Sequence, residues 1–250
     1  MLTRQQLQRI AQREQVGLQA VERDYLQHLL VALLYARSQE LVFKGGTALR
    51  LIYKGNRYSE DLDFNGPNDV PRLRVLWAEV CQELEFYGIG AEIRQEWQSE
   101  FGYSFDVSYR GPLYDGRDRS KGKVRVDVSL REESVATRRE LVTAIYDDVR
   151  PFVAIVLTPE HLFAEKMRAL LVRAKPRDLY DLWLMSRQGW RLDRNILSQK
   201  LALYDLEYTP ERLNETLARV AADWERDMRP LLPQYVPFED VSRVVQTLEP

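Results

Sequence analysis

Residues 43–64 read FKGGTALRLIYKGNRYSEDLDF, and this stretch decides the fold of the first half of the chain. The apolar run from Leu41 to Phe43 predicts a strand that enters a tight glycine turn. Thr47 to Tyr53 then predicts a short helix, and the alternation of charged and apolar residues from Asp61 to Phe64 predicts a half-buried strand. The order is therefore strand, glycine turn, helix and strand.

The glycine turn and the acids of the second strand suggest a phosphate and metal site. Gly45 and Gly46 let the backbone approach a ligand closely, and free amides at a helix start suit a phosphate. Asp61 and Asp63 are two residues apart on a strand, so their carboxylates share one face. Neighbouring carboxylates repel unless a cation lies between them, and Mg²⁺ prefers carboxylates together with substrate phosphates.

A third acid, Asp127, lies among β-branched residues in the predicted strand Lys123 to Leu130. In a two-metal site, such a carboxylate would complete the shell of one ion and help to deprotonate an attacking hydroxyl. A Gly-Gly turn alone is usually only a turn, and a lone Asp-x-Asp is usually a solvated strand face. The combination of both motifs, in order and in context, favours the functional interpretation.

The composition limits the class of protein and of metal site. The chain has 250 residues, of which 45% are hydrophobic, so one or two domains are expected. Cys81 is the only cysteine and there are two histidines, which argues against a disulfide or a zinc site and favours a hard cation with oxygen ligands. The sequence has no long apolar run and no signal peptide, so a soluble, cytoplasmic protein without a membrane partner is expected.

The remaining sequence predicts an α+β fold with a helical second part. We expect a mixed sheet with flanking helices and N-terminal helices over residues 1–158, followed by a helical domain over 159–250 that completes the active-site cleft. Helical periodicity covers 4–35, 70–87, 159–174, 177–188, 193–203, 209–228 and 238–248, while strands are expected at 89–97, 103–110, 123–130 and 152–157.

Two motifs resemble a known family. Gly45-Gly46-Thr47, thirteen residues and then Asp61-Leu62-Asp63-Phe64 resemble the signature of the DNA polymerase β-type nucleotidyltransferases. Within that superfamily, the run from Lys44 to Phe64 is similar to the AbiEii/AbiGii, or MenT-like, toxins. The downstream run 173–183, RAKPRDLYDLW, agrees, and the resemblance spans about residues 40–185. Thr47 departs from the serine often found in the family but keeps the hydroxyl.

The resemblance implies a role for each matching position. Gly45, Gly46 and Thr47 would hold the nucleoside triphosphate (NTP), and Asp61 and Asp63 the magnesium ions, two being expected and Mn²⁺ being an alternative. Asp127 would be the catalytic base and also a metal ligand. Lys166 would reach the phosphates as a catalytic and nucleotide-binding residue. Further nucleotide-binding candidates are Arg57 and Ser59 before the acids, and Arg177, Asp178 and Asp181 of the second motif.

The resemblance also implies a substrate and a biological setting. It suggests transfer of a nucleotide to the 3′ end of tRNA by the toxin of a type IV-like toxin–antitoxin or phage-defence system, with a cognate antitoxin as partner. The net charge of −2 gives no sign of RNA binding. Two locally basic runs, 117–125 and 166–177, are either solvated faces or tracks for an RNA backbone.

Two other functions are compatible with the same residues. A nucleotidyltransferase acting on a small molecule or a protein would keep the acids but need a compact acceptor pocket. A catalytically silent nucleotide-binding module would have no need for three mutually repelling acids, which argues against it.

Overall fold

A computed structural model describes residues 1–131 and 135–248 and divides the chain into two compact units, residues 1–156 and 157–250. The first unit contains a mixed sheet with flanking helices, and the described part of the second is helical. The predicted α+β class is confirmed. Every helix in the described ranges is too short or too polar to span a bilayer.

The first unit alternates helices and strands. Its helices are α1 (Arg4–Glu14), α2 (Leu18–Arg37), α3 (Gly45–Leu51) and α4 (Val70–Glu83), with short 3₁₀ turns at Leu84–Tyr87 and Asp118–Ser120. The strands of the sheet are β1 (Val42–Lys44), β2 (Asp61–Asn65), β3 (Gly90–Ser99), β4 (Gly102–Arg110), β5 (Gly122–Ser129), β6 (Thr137–Val142) and β7 (Phe152–Leu157).

The second unit is built from short helices. These are α5 (Pro159–Arg173), α6 (Pro176–Arg187), α7 (Arg194–Ala202), α8 (Pro210–Ala221), α9 (Trp224–Met228), a 3₁₀ turn at Arg229–Leu231 and α10 (Phe238–Gln246). Proline occupies the first turn of α5, α6 and α8, where its missing N–H costs no hydrogen bond.

The sheet has the strand order β3-β4-β5-β2-β1-β7-β6, and β2 lies at its centre. β2 pairs parallel with β5 and antiparallel with β1, while β3, β4 and β5 form an antiparallel series. The two strands that carry the acids are therefore direct neighbours, although 60 or so residues separate them in sequence.

One face of the sheet forms the core of the first unit. Leu62 and Phe64 of β2 are buried, as are alternate residues of β4 and β5. Phe64 stacks on Phe43 with ring centroids 5.1 Å apart and meets the edge of Trp77, from α4, at 5.8 Å. Trp77 also contacts Phe105 at 5.4 Å, so one aromatic series joins α4 to three strands. Because strand side chains alternate, this burial turns the intervening polar residues to the opposite face.

The structure differs from the predicted elements at four places. The helical stretch 4–35 is two helices, because Gln15 ends α1 in a left-handed conformation and Gly17 precedes α2. The stretch 209–228 is likewise divided into α8 and α9. α3 begins at Gly45 rather than Thr47. Strand β6 was not predicted, because its TRRELV sequence lacks the alternation of a half-buried strand.

Candidate active site

Gly45 brings the start of α3 against the carboxylate of Asp63. Gly45 has φ +77°, a left-handed conformation that favours glycine. A Cβ atom at this position would lie 2.0 Å from Asp63 Oδ2. The absence of a side chain is thus what lets the helix start and the acid occupy adjacent positions.

Gly46 likewise lies directly against the side chains of two other predicted site residues, Arg57 and Ser59. A Cβ atom there would lie 2.3 Å from Arg57 Nη2 and 2.9 Å from Ser59 Oγ. Arg57 is buried, and its Nη1 donates a 3.0 Å hydrogen bond to the carbonyl of Tyr58. The structure therefore brings Gly45, Gly46, Arg57, Ser59 and Asp63 together around the start of α3.

Thr47 lies inside the unit and contacts the strand of the acids. Its side chain is fully buried, and its hydroxyl donates a 2.5 Å hydrogen bond to the backbone carbonyl of Asp61. This bond ties α3 to the first residue of β2. The Thr47 hydroxyl is thus engaged with protein, and a direct contact to nucleotide stays a prediction.

The three predicted acids share one face of the sheet. Asp63 and Asp127 are paired across the parallel strands β2 and β5, and Asp61 is paired with Arg125 in the same ladder. On the other side of β2, Lys44 is paired with Asp63. Paired residues of adjacent strands point to the same side, so these carboxylates and cations lie on the face opposite the core.

Asp127 shows the electrostatic effect of this arrangement. Burial, together with the negative charges of Asp63 and Asp61, raises the pKa of Asp127 from 3.8 to about 6, against the opposing effect of Arg125. Arg125 Nε lies 3.5 Å from Asp127 Oδ1. A carboxylate with a pKa near 6 is suited to accepting a proton close to neutral pH.

Arg125 is held beside Asp127 by two residues that the sequence interpretation did not single out. Its Nη2 donates to Ser104 Oγ at 2.7 Å, and its Nη1 lies 3.3 Å from Asp106 Oδ1. Asp106 is 2% exposed and also pairs with Lys123 Nζ at 3.2 Å. The available signal was the alternation of Ser104, Asp106 and Ser108 with the apolar residues of β4.

The donor chemistry fits a hard divalent cation. The acids on this face present only carboxylate oxygens. Burial and then the negative charges of Asp63 and Asp61 raise the pKa of Asp127, and a bound cation would relieve the repulsion among these acids. In the positions that the side chains take, the described ranges contain no group of three or more His, Cys, Asp or Glu residues that could hold a metal ion.

The second motif forms a buried ionic cluster within the helical unit. Lys166 Nζ lies 2.8 Å from Asp181 Oδ2 and 3.3 Å from Asp178 Oδ1. Arg173 makes a bidentate contact with Asp178 at 2.7 and 2.8 Å. Asp178, Asp181 and Lys166 are 0%, 2% and 6% exposed.

The charges of the cluster favour the ionised form of Asp178. Although burial raises the pKa of Asp178, the charges of Lys166, Arg173 and Arg177 lower it to about 2. Arg177 itself is half-buried at the start of α6. The structure thus joins Lys166, Asp178 and Asp181 in one cluster, and their contact with nucleotide stays a prediction.

Comparisons with known proteins identify the family and the fold. A family model described as "Nucleotidyl transferase AbiEii toxin, Type IV TA system" matches residues 28–247. The nucleotidyltransferase toxin MenT4 (Rv2826c) of Mycobacterium tuberculosis H37Rv has a similar structure, with a TM-score of 0.72 and 22% identity over 98% of this chain and 88% of that chain. JHP933 from Helicobacter pylori has a TM-score of 0.63 and 20% identity over 92% of this chain and 90% of that chain. No curated protein matches the sequence significantly.

The fold and the family match define the chain as a nucleotidyltransferase, as the sequence predicted. More particularly, the chain belongs to the AbiEii nucleotidyltransferase toxin family of type IV toxin–antitoxin systems.

Proposed function

We propose that this protein transfers a nucleoside monophosphate from an NTP to the 3′-terminal hydroxyl of tRNA. One observation carries the proposal: Asp61, Asp63 and Asp127 share a sheet face, and the Asp63 carboxylate lies against the Gly45 backbone at the start of α3. A triphosphate docked on the glycines would be close to these acids.

The reaction is an in-line displacement. The acceptor oxygen forms a bond to the α-phosphorus, the bond from that phosphorus to the bridging oxygen of the β-phosphate breaks, and pyrophosphate leaves. Asp127 is the proposed acceptor of the hydroxyl proton, because it lies beside Asp63 on the face where the attacking oxygen would be held.

The other residues of the site hold the triphosphate. The amides at the start of α3 face its phosphates, and Arg57 and Ser59 support the Gly46 side of that turn. Asp61, Asp63 and Asp127 are the proposed ligands of two magnesium ions, or manganese, which would neutralise phosphate charge and activate the attacking oxygen. Lys166, Arg177, Asp178 and Asp181 remain proposed nucleotide-binding residues on the resemblance alone.

Family membership supports the toxin setting, and the cations beside the acids support an RNA acceptor. An antitoxin partner is implied by the type IV family. Lys123 and Arg125 lie on the same face as the acids, so cations are available for an RNA backbone. We propose that transfer to tRNA blocks translation and arrests growth, either within a toxin–antitoxin pair or during phage infection, in the cytoplasm where both substrates occur.

Label transfer tests the proposal directly. The protein is incubated with each α-labelled NTP, magnesium and total tRNA, and label is followed on RNA, protein and small molecules. We expect label on tRNA from the wild type and at least a hundredfold less from Asp63→Asn. Asp240→Asn is the matched control, because Asp240 is exposed on α10 and lies outside both basic runs.

The outcomes separate the possible functions. Label on a small molecule or protein would replace tRNA as the acceptor. Binding of NTP without transfer to any acceptor would indicate a silent nucleotide-binding module. Full transfer by Asp63→Asn would contradict the assigned site.

A further inference from the structure

Trp97 is an exposed aromatic residue in the same cross-strand row as the acids. It is paired with Ser104 of β4, Ser104 with Asp127 of β5, and Asp127 with Asp63 of β2. The indole is 57% exposed, whereas Trp77 and Trp224 are buried in the cores. With strands about 4.8 Å apart, Trp97 lies roughly 10 Å from Asp127 across the small side chain of Ser104.

A β-bulge puts the indole on this face. Between the pairs Arg94–Asp106 and Trp97–Ser104, β3 advances three residues while β4 advances two. Gln95, within the bulge, has φ +52°, which is unfavourable for a residue other than glycine. Without the extra residue, Glu96 would be opposite Ser104 and Trp97 would point to the other side of the sheet.

The contacts of Glu96 confirm that the bulge places the side chains of Glu96 and Trp97 on opposite faces of the sheet. Its carboxylate accepts hydrogen bonds from Tyr103 Oη at 2.8 Å and from Arg74 Nε of α4 at 2.7 Å. It therefore belongs to the helix-covered face, while Trp97 belongs to the face of the acids. One edge of the indole covers Gly102, where a Cβ atom would lie 3.7 Å from Trp97 Cζ3.

Lys123, Arg125 and Arg94 carry positive charge near Trp97, and the acid Glu92, which is 42% exposed, is paired with Arg94. Asp106 is 2% exposed and lies beneath Lys123 and Arg125, which are 61% and 32% exposed. Arg94, in the row of Asp106, is 58% exposed and pairs with Glu92 Oε1 at 2.9 Å. An aromatic surface bordered by solvent-exposed cations is the combination that binds single-stranded nucleic acid, by stacking and by phosphate contact.

We propose that Trp97 is the stacking platform for a base near the 3′ end of a single-stranded RNA acceptor. This inference rests on the proposed function and specifies its acceptor as RNA with an unpaired end. About 10 Å separates the platform from Asp127, and the Arg125 guanidinium, which donates to Ser104 Oγ at 2.7 Å, lies between them. Lys123 and Arg125 contact the phosphates of the same strand.

Binding without NTP tests the platform independently of catalysis. A short single-stranded RNA that ends in a free 3′ hydroxyl and carries a fluorophore at its 5′ end is titrated with the full-length protein while the anisotropy of the fluorophore is followed. We expect saturable binding by the wild type, a Kd at least about fivefold higher for Trp97→Ala, and a Kd within a few-fold of wild type for Trp97→Phe, because phenylalanine retains a stacking face.

The control is Phe86→Ala, which removes another exposed aromatic side chain from the 3₁₀ turn after α4. It should leave the Kd unchanged. Thermal unfolding of each variant shows whether the fold is kept. A wild-type Kd in folded Trp97→Ala would overturn the inference, as would an unchanged KM for RNA in the transfer reaction. If Trp97→Ala weakens binding but the wild type transfers nucleotide to no acceptor, the proposed function fails while the RNA platform stands.

Discussion

At the residue scale, the site depends on a backbone position that excludes a side chain. Gly45→Ala would place Cβ 2.0 Å from Asp63 Oδ2 at a φ of +77°. We expect a loss of about 1 kcal/mol in stability from backbone strain and about a hundredfold lower transfer, because the Asp63 carboxylate must move. Transfer kinetics and thermal unfolding measure the two effects.

Gly88→Ala is the matched control for this change. Gly88 has φ +72° with open space around the Cβ position, so the alanine adds strain without displacing a side chain. We expect a similar loss of stability with normal transfer. Equal transfer by the two variants would show that Gly45 is only a turn residue.

A second residue-scale prediction concerns Asp127 and pH. Burial and the neighbouring acids raise its pKa from 3.8 to about 6, so its ionised form is less favourable in the folded state than in the unfolded state. The stability associated with this group is therefore present below about pH 4 and is lost as the pH rises to about 6. Asp127→Asn should consequently stabilise the metal-free protein at higher pH while abolishing transfer.

The magnitude and the measurement follow from the exposure of the side chain. Two pKa units correspond to about 3 kcal/mol, but Asp127 is 46% exposed, so solvent screening reduces the expected gain to about 1 kcal/mol. Urea unfolding in a chelator should show this gain near pH 8 and almost none near pH 4. An Asp127→Asn protein less stable than wild type near pH 8 would contradict the assigned electrostatics.

At the element scale, a buried ion pair fixes α3 to α2. Asp24 is 1% exposed and accepts from Arg50 Nε at 2.5 Å and from Tyr146 Oη at 2.6 Å. The Arg50 guanidinium also lies 3.5 Å from the ring centroid of Tyr58, next to Ser59. Helix α3, which begins at Gly45, is thus held in place by the contacts of Arg50 in its C-terminal half.

Removing one partner of this pair should be costly. We expect Arg50→Ala to lower the free energy of unfolding by about 3–5 kcal/mol, because the Asp24 charge stays buried without its cation. Arg72→Ala is the control, since Arg72 and its partner Glu40 are 62% and 42% exposed and their pair is worth at most about 1 kcal/mol. If urea unfolding showed equal losses in the free energy of unfolding for the two variants, the Arg50–Asp24 pair would not be what fixes α3 to α2.

At the scale of the whole molecule, the net charge of −2 does not reveal the local cationic surface that Lys123 and Arg125 form beside the acids. RNA binding that depends on such a surface should weaken with salt, because bound cations release counterions from the phosphates. We expect Lys123→Ala to reduce the slope of log K against log salt by about 0.7, the value for one phosphate contact on a single strand. Arg219→Ala, on an exposed position of α8, should leave the slope unchanged. A slope unaltered by Lys123→Ala would remove that residue from the RNA surface.

The elements that the sequence predicted well are those that depend on near neighbours. The period of β2 and β5 placed their acids opposite the apolar core residues, and the predicted helices 159–174 and 177–188 agree with α5 and α6 to within one residue at each end. The breaks at Gln15 and near Asp223 were missed, because a helical pattern continues across them. Edge strand β6 was missed because its residues are mostly exposed and so carry no alternation.

By itself, the sequence determined the class of fold and the kinds of side chain in the site, because periodicity and glycine content act over a few residues. Only the tertiary structure decided that β5 lies beside β2 with Asp127 opposite Asp63, and that Lys166 meets Asp178 and Asp181. The bulge at Gln95 that directs Trp97 also belongs to this level. Strand order and register depend on packing between residues far apart in the chain, and a shift of one residue would reverse every side chain on a strand.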